Sequence, residues 1–174
     1  MLTPIKTDEL ILRMFREDDA KALYINHKDP EIIKWIPNES YEDINEARDA
    51  ALFFLECTAK RQLPFVLAIE HKGELIGDVG INEVDGFPEL VEAGYTVISK
   101  YKGRGYAAKA LKSMTELASS IFGIDVLYGR VMKGNNASVR VLEKNGFVFD
   151  HEEQNAEDDP YGNVMSVYKK VLRT

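Results

Sequence analysis

The sequence predicts an α/β protein, a mixed sheet with helices packed on it. Two observations carry that reading. Apolar runs of strand length recur along the chain, and the period then changes to a helical one in the second half. The chain is 174 residues long, which suits one domain, 1–174, with little room for a second.

The first strand-like run is Leu10 to Phe15, and Asp18 is placed to cap a short helix through His27. Ser40 followed by Asp43 has the spacing of a capping box. It would open a helix whose Ile44, Ala47, Ala51, Phe54 and Leu55 share one face, ended by Pro64. Three strand runs follow, Phe65–Ile69, Leu75–Asn82 and Leu90–Ile98. His71, Lys72 and Gly73 make a tight hairpin, and Asp85, Gly86 and Pro88 mark the next turn. Connections this short imply antiparallel neighbours.

From Ala107, apolar residues fall at Ala110, Leu111, Met114, Leu117, Ala118, Ile121 and Phe122, a helical stripe with Gly123 as its stop. Asp125–Met132 reads as a strand, Asn135–Asn145 as a short helix, and Phe147 onward and Asn163–Leu172 as the last strands. The acidic run Glu152–Asp159 between them reads as a loop.

Composition narrows the function classes. The net charge of −7 argues against nucleic acid as main partner and suits a cationic acceptor, although a solvated acidic surface would look the same. Cys57 is the single cysteine, so there is no internal disulfide and no cysteine-based zinc site, and its apolar helical setting reads as a buried thiol. No signal-length or membrane-length apolar run occurs, so a cytoplasmic protein is expected, with no membrane partner. His27, His71 and His151 are scattered and fit surface or loop positions better than a triad or metal site.

The loop Lys102-Gly103-Arg104-Gly105-Tyr106-Ala107 joins a strand to the strongest helix. The first amides of a helix lack internal partners and its dipole favours negative charge there. Glycines admit a phosphate close to the backbone, and Lys102 and Arg104 add positive charge, so the loop is a candidate anion site. Gly103, Gly105 and Ala108 also fit the dinucleotide fingerprint, but that needs a parallel unit with an acidic residue ending the next strand, and Asp125 begins its strand. A P-loop is excluded, since no Gly-Lys-Ser/Thr follows at its spacing.

This loop resembles motif A of the GNAT superfamily of acetyl-CoA-dependent N-acetyltransferases, written Q/R-x-x-G-x-G/A. Lys102, Gly105 and Ala107 take its defined positions, with Lys where Gln or Arg is usual. Thr7–Ala20 is similar to the family's opening strand and helix, Gly73–Ile81 to its central hairpin, and Glu92–Tyr95 to the strand before the loop. Asn135–Phe147 resembles motif B of the branch that includes ribosomal-protein-alanine acetyltransferases. The resemblance covers nearly the whole chain in order. It implies a mixed, mostly antiparallel seven-stranded sheet with about four helices.

It also implies acetyl-CoA as co-substrate and an amine acceptor, a protein N-terminus or a small molecule, attacked directly in a ternary complex. The backbone of Thr96, Val97 and Ile98 would hold pantetheine, an N–H near Val97 would polarise the thioester carbonyl, and Lys102–Ala107 would take the pyrophosphate. A lysine-like amine costs about 4.6 kcal/mol to deprotonate at pH 7 and an α-amino group ~1–1.5, so a general base matters more for the former. Glu92 is the candidate base, or else a carboxylate on an exposed strand face. The tyrosine acid common in the family is replaced by Leu142. Ser138 is the substitute acid and Asn135 a pantetheine ligand, although both residue types also cap helices. Tyr24, Trp35, Tyr41, Phe87 and Tyr161 are acceptor-pocket candidates, Trp35 foremost. Relatives often dimerise, so a homodimer is an open option. A CoA-binding sensor or interaction module without turnover is the alternative function.

Overall fold

A computed structural model describes residues 1–154 and 164–173. The strands are β1 (Ile5–Lys6), β2 (Ile11–Arg13), β3 (Phe65–His71), β4 (Glu74–Val84), β5 (Phe87–Val97), β6 (Val126–Met132), β7 (Val148–Glu153) and β8 (Met165–Val171). The helices are α1 (Ala20–Asn26), α2 (Pro30–Trp35), α3 (Ile44–Ala59), α4 (Tyr106–Phe122) and α5 (Asn136–Lys144). The strands form one sheet in the order β1-β2-β3-β4-β5-β6-β8-β7. Every pair is antiparallel except β5 with β6, which α4 joins as a crossover.

The sheet therefore has eight strands among the described residues, not seven, and there are five α-helices, not about four. The additions are β1, two residues long, and α2, under two turns; neither is long enough to show a period. Asp18 does not cap the first helix: it lies inside a 3-10 turn, Glu17–Asp19, that leads into α1. The side-chain cap of α3 is Asp43, three residues later than the expected Ser40, and no full capping box forms. Asp43 accepts from the Glu46 amide at 2.9 Å, and the Glu46 carboxylate accepts from the Glu42 amide. Glu152 and Glu153 belong to β7 and Gln154 follows in a bend; residues 155–159, with Tyr161 and Asn163, lie outside the described residues.

The hairpin turn is Lys72-Gly73, both at positive φ, between paired His71 and Glu74. Gly123 ends α4 in the left-handed region, its amide bonded to Ser119 O at 3.0 Å. α4 buries Ala110, Leu111, Met114 and Ala118 against Leu67, Ile69, Val79, Ile81 and Ala93 of the sheet. On the other face, α1 and α3 bury Leu23, Ala47 and Ala51 with Phe15 and Ala68. Arg13 is clamped there by Asp19, at 2.8 and 2.9 Å, and by Glu70 at 2.6 Å. Cys57 is buried. No helix among the described residues is long and apolar enough to cross a membrane.

Candidate active site

β5 and β6 pair over three positions only, Val91 with Leu127, Glu92 with Tyr128 and Ala93 with Gly129. Beyond them the strands diverge, while β5 stays paired to β4 as far as Val97 and β6 to β8 as far as Met132. A cavity of about 580 Å³ opens in the gap. Ile98 donates its amide to Ile76 O at 2.9 Å and accepts from the Tyr101 amide at 3.0 Å. Alternation along the strand then turns the Val97 amide the opposite way, toward the gap. Thr96 and Val97 line this cleft; Ile98, whose backbone is engaged elsewhere, does not.

At the end of the cleft, Gly103 and Gly105 take positive φ values of 75° and 79°, and Gly105 is the residue from which α4 starts. The amides of the first turn of α4 thus face a wall formed by Lys102, Gly103, Gly105, Tyr106 and Ala107. Arg104 does not join them; its guanidinium lies over the Tyr101 ring, 5.2 Å from the centroid. Arg140 and Lys144, both on α5, contribute cationic groups that the loop sequence alone does not reveal. Lys102 reaches Glu31 of α2 at 3.4 Å. Asp29, the cap of α2, accepts from the Ser99 amide at 2.8 Å and hydroxyl at 2.6 Å, which ties α2 to the loop.

Motif B stands across the gap. Asn135 caps α5, its Oδ1 accepting from the Ser138 amide at 3.2 Å, and both residues line the cleft, so the capping role and the cleft position coexist. The Ser138 hydroxyl donates to the Tyr95 hydroxyl at 2.9 Å, and Tyr95 donates to Ser138 O at 3.0 Å. Leu142, where the family's tyrosine would stand, is fully buried against Gly129. A tyrosine hydroxyl is thus present after all, supplied by β5. Burial pushes the Tyr95 phenol up to about 12 despite the Ser138 bond, so it stays protonated.

Glu92 lies at the same opening, on the opposite face of β5 from Tyr95. Its carboxylate is 3.3 Å from Arg130 Nη1 and accepts from Asn82 Nδ2 at 3.2 Å. Arg130 also holds Glu153 at 2.9 Å. On that face, Asp78, Gly80 and Asn82 of β4 sit opposite Thr96, Gly94 and Glu92 of β5. All of these but Glu92, with Glu39, Tyr41 and Glu46 above them, line a second cavity of about 430 Å³. The two cavities share Ile36, Asn38, Glu39, Asn82, Gly94, Tyr95 and Thr96, so they meet. Trp35 lines the first and Tyr41 the second, whereas Tyr24 and the exposed Phe87 line neither.

His27 and His71 are buried, contrary to the surface or loop positions expected of them. His71 bonds Glu9 O at 3.0 Å and packs between Tyr101 and Tyr106. His27 Nε2 is 2.9 Å from Asp78, and its ring meets Tyr41 edge-on. Burial opposes a charge on His27, but the Asp78 carboxylate and then Glu39 outweigh it and hold the imidazole above its ordinary value. Glu39 is open to solvent within the cleft, yet protein crowds it on most sides. That desolvation, with the charges of Asp78 and Glu92, pushes its carboxyl up to about 7 against the pull of His27. Nothing in the local sequence around Glu39 or His27 marks either. No group of three or more His, Cys, Asp or Glu side chains suited to a metal occurs among the described residues.

This geometry of diverging strands, a left-handed glycine loop and a capped motif on the far side agrees with what the chain matches. The profile of the acetyltransferase (GNAT) domain covers residues 9–148. The chain is similar to the N-acetyltransferase p20 of Bacillus licheniformis, 24% identical over 168 residues, 93% of this chain and 91% of the relative. Its fold superposes on the ribosomal-protein-S5-alanine acetyltransferase of Vibrio fischeri with a TM-score of 0.83, at 18% identity, over 98% and 97% of the two chains. It also superposes on the microcin C7 self-immunity acetyltransferase MccE, solved with acetyl-CoA and AMP, with a TM-score of 0.79 at 20% identity, over 95% and 93%. The protein belongs to the GNAT acetyltransferase family. It is an acetyl-CoA-dependent N-acetyltransferase.

Proposed function

We propose that the protein transfers acetyl from acetyl-CoA to a primary amine, of a protein N-terminus or a small molecule, by direct attack in a ternary complex. The observation that carries this reading is the opening between β5 and β6 beyond Ala93 and Gly129. Donor groups approach it from one end and a second cavity joins it from the other face.

In this reading Val97 pairs with pantetheine through its backbone, its amide polarising the acetyl carbonyl as charge develops on the oxygen, while Thr96, whose backbone turns to β4 by the same alternation, lines the cleft beside it. Gly103, Gly105, Tyr106 and Ala107 offer backbone to the pyrophosphate, with Lys102, Arg140 and Lys144 as cations around it. Asn135 holds the start of α5 at the pantetheine side. Ser138 and Tyr95 meet the leaving sulfur. A thiol of pKa about 8.5 is a stronger acid than a phenol near 12, so this pair stabilises the thiolate by hydrogen bonding before the sulfur collects its proton. Glu92, bound to Arg130, braces the opening where the strands part.

Mass spectrometry of acetyl-CoA incubated with the protein and a panel of peptides and small amines tests the reading. Acetylated amine and free CoA in equal amounts are expected. CoA binding without product from any acceptor would favour the sensor or interaction module instead.

A further inference from the structure

The acetyl-transfer reading requires a group that takes a proton from the acceptor ammonium. The carboxylates that line the two cavities are Glu39, between α2 and α3, which lines both, Glu46 of α3 and Asp78 of β4, which line the second, and Glu92 of β5 and Glu31 of α2, which line the first, Glu31 paired with Lys102 at 3.4 Å. Their engagements differ. Asp78 is bound to His27 at 2.9 Å. Glu92 is bound to Arg130 and Asn82. Glu46 accepts from the Glu42 amide just ahead of α3. The Glu39 carboxylate has no hydrogen bond or ion pair among the described residues, and it lines both cavities.

We infer that Glu39 is the general base of the reaction, placed above the acidic floor of Asp78 and Glu92 where an acceptor amine passes from the second cavity to the acetyl carbon. This rests on the acetyl-transfer reading and deepens it. A carboxylate tied to a guanidinium would have to break that pair to accept a proton, whereas Glu39 has none to break. The groups around it are consistent with that task. Tyr41 ahead of α3, Glu46 on α3 and Asp78 line the second cavity, His27 on α1 stands behind Asp78 and Tyr41, and Glu92 lines the first cavity with Arg130 on β6. Net negative charge among them draws an ammonium in and raises the basicity of Glu39.

The step balances as follows. Glu39 takes one proton from the ammonium. The nitrogen lone pair forms the N–C bond at the acetyl carbon while the carbonyl electrons move to oxygen. Collapse of that oxyanion breaks the C–S bond, and sulfur leaves with the bonding pair. The second proton shed by nitrogen ends on the CoA sulfur through the Ser138–Tyr95 side. Glu39 returns its proton to solvent at the open cleft, so one proton is released per turnover.

The test is the pH dependence of kcat/KM for wild type, Glu39→Gln and Glu92→Gln, with an alanine-first peptide and a lysine side-chain amide as probe acceptors and CoA affinity measured alongside. Glu39→Gln should lower kcat by about 100-fold. It should erase the acid limb near pH 7 and leave CoA affinity unchanged, with the larger loss on the lysine probe. Glu92→Gln should keep the limb, and Glu39→Asp should keep it at reduced rate. An unchanged limb and kcat in Glu39→Gln would overturn the assignment while acetyl transfer itself stands. Loss of the limb in Glu92→Gln would overturn it equally. Transfer by the wild-type protein to neither probe, nor to any other amine, would overturn the reading on which it rests.

Discussion

The two cavities are built differently. The first, proposed to take the donor, presents mainly backbone: the outward edge of β5, two left-handed glycines and the first turn of α4. The second, proposed to take the acceptor, is lined mainly by side chains from four separated segments, Ile36 to Phe54, Pro64 and Val66, Asp78 to Asn82 and Gly94 to Thr96. Backbone recognition constrains spacing and glycine placement, which a sequence displays. Side-chain recognition depends on which segments the fold brings together, which it does not. The donor half should therefore fail abruptly when its glycines change, and the acceptor half should degrade by degrees.

The largest effect expected is at Gly105. A glutamate there would carry a Cβ in the left-handed region, a strain of ~1–2 kcal/mol, and put a negative charge where the pyrophosphate is proposed to sit. Calorimetry should show at least about 100-fold weaker CoA binding by Gly105→Glu. Retained affinity would remove the loop from the donor site. Next in size is the hydroxyl pair. Ser138→Ala should lower kcat by about 100-fold and Tyr95→Phe by about tenfold, with little change in CoA affinity, as steady-state kinetics would show. Equal, small losses in both would mean that the leaving sulfur is met elsewhere.

Smaller effects belong to the supporting pairs. Glu92→Gln weakens the bond to Arg130, which Glu153 still neutralises, so chemical denaturation should show a loss of about 1–3 kcal/mol. kcat should change less than about threefold if the ion pair is its main role. The smallest is a pH effect. The folded His27 is held above its ordinary value, so its attraction to Asp78 stabilises the fold fully below the unfolded pKa and is lost as pH rises through the folded one. His27→Gln should therefore cost ~1–2 kcal/mol more at pH 6 than at pH 9 in urea titrations. An equal cost at both would show that the imidazole is neutral throughout.

What was legible follows the same division. The stripe of α4, the stop at Gly123, the hairpin at Lys72-Gly73 and motif B are local patterns, and they fix the α/β class and the place of the glycine loop. The two-residue β1 and the six-residue α2 carry no period of their own, and their pairing or packing holds them. Ile98 and Arg104 belong to matching motifs, but their groups are engaged with Ile76 and Tyr101, which only the folded chain shows. Leu142 correctly signals that the usual tyrosine is missing from motif B. That Tyr95 supplies a hydroxyl at Ser138 from 43 residues away is a matter of sheet register. Glu39 and His27 are ordinary in their own segments and become unusual only beside Asp78.

The central claim is that the opening between β5 and β6 is where acetyl passes from CoA to an amine. The most direct measurement is quantitative mass spectrometry of single-turnover reactions with wild type and Gly105→Glu over the same amine panel. The account predicts one acetylated amine per CoA released by wild type and transfer at least about tenfold slower by the variant at CoA concentrations that just saturate wild type. Equal transfer by the variant, or CoA bound by wild type with no acetylated amine from any acceptor, would contradict it.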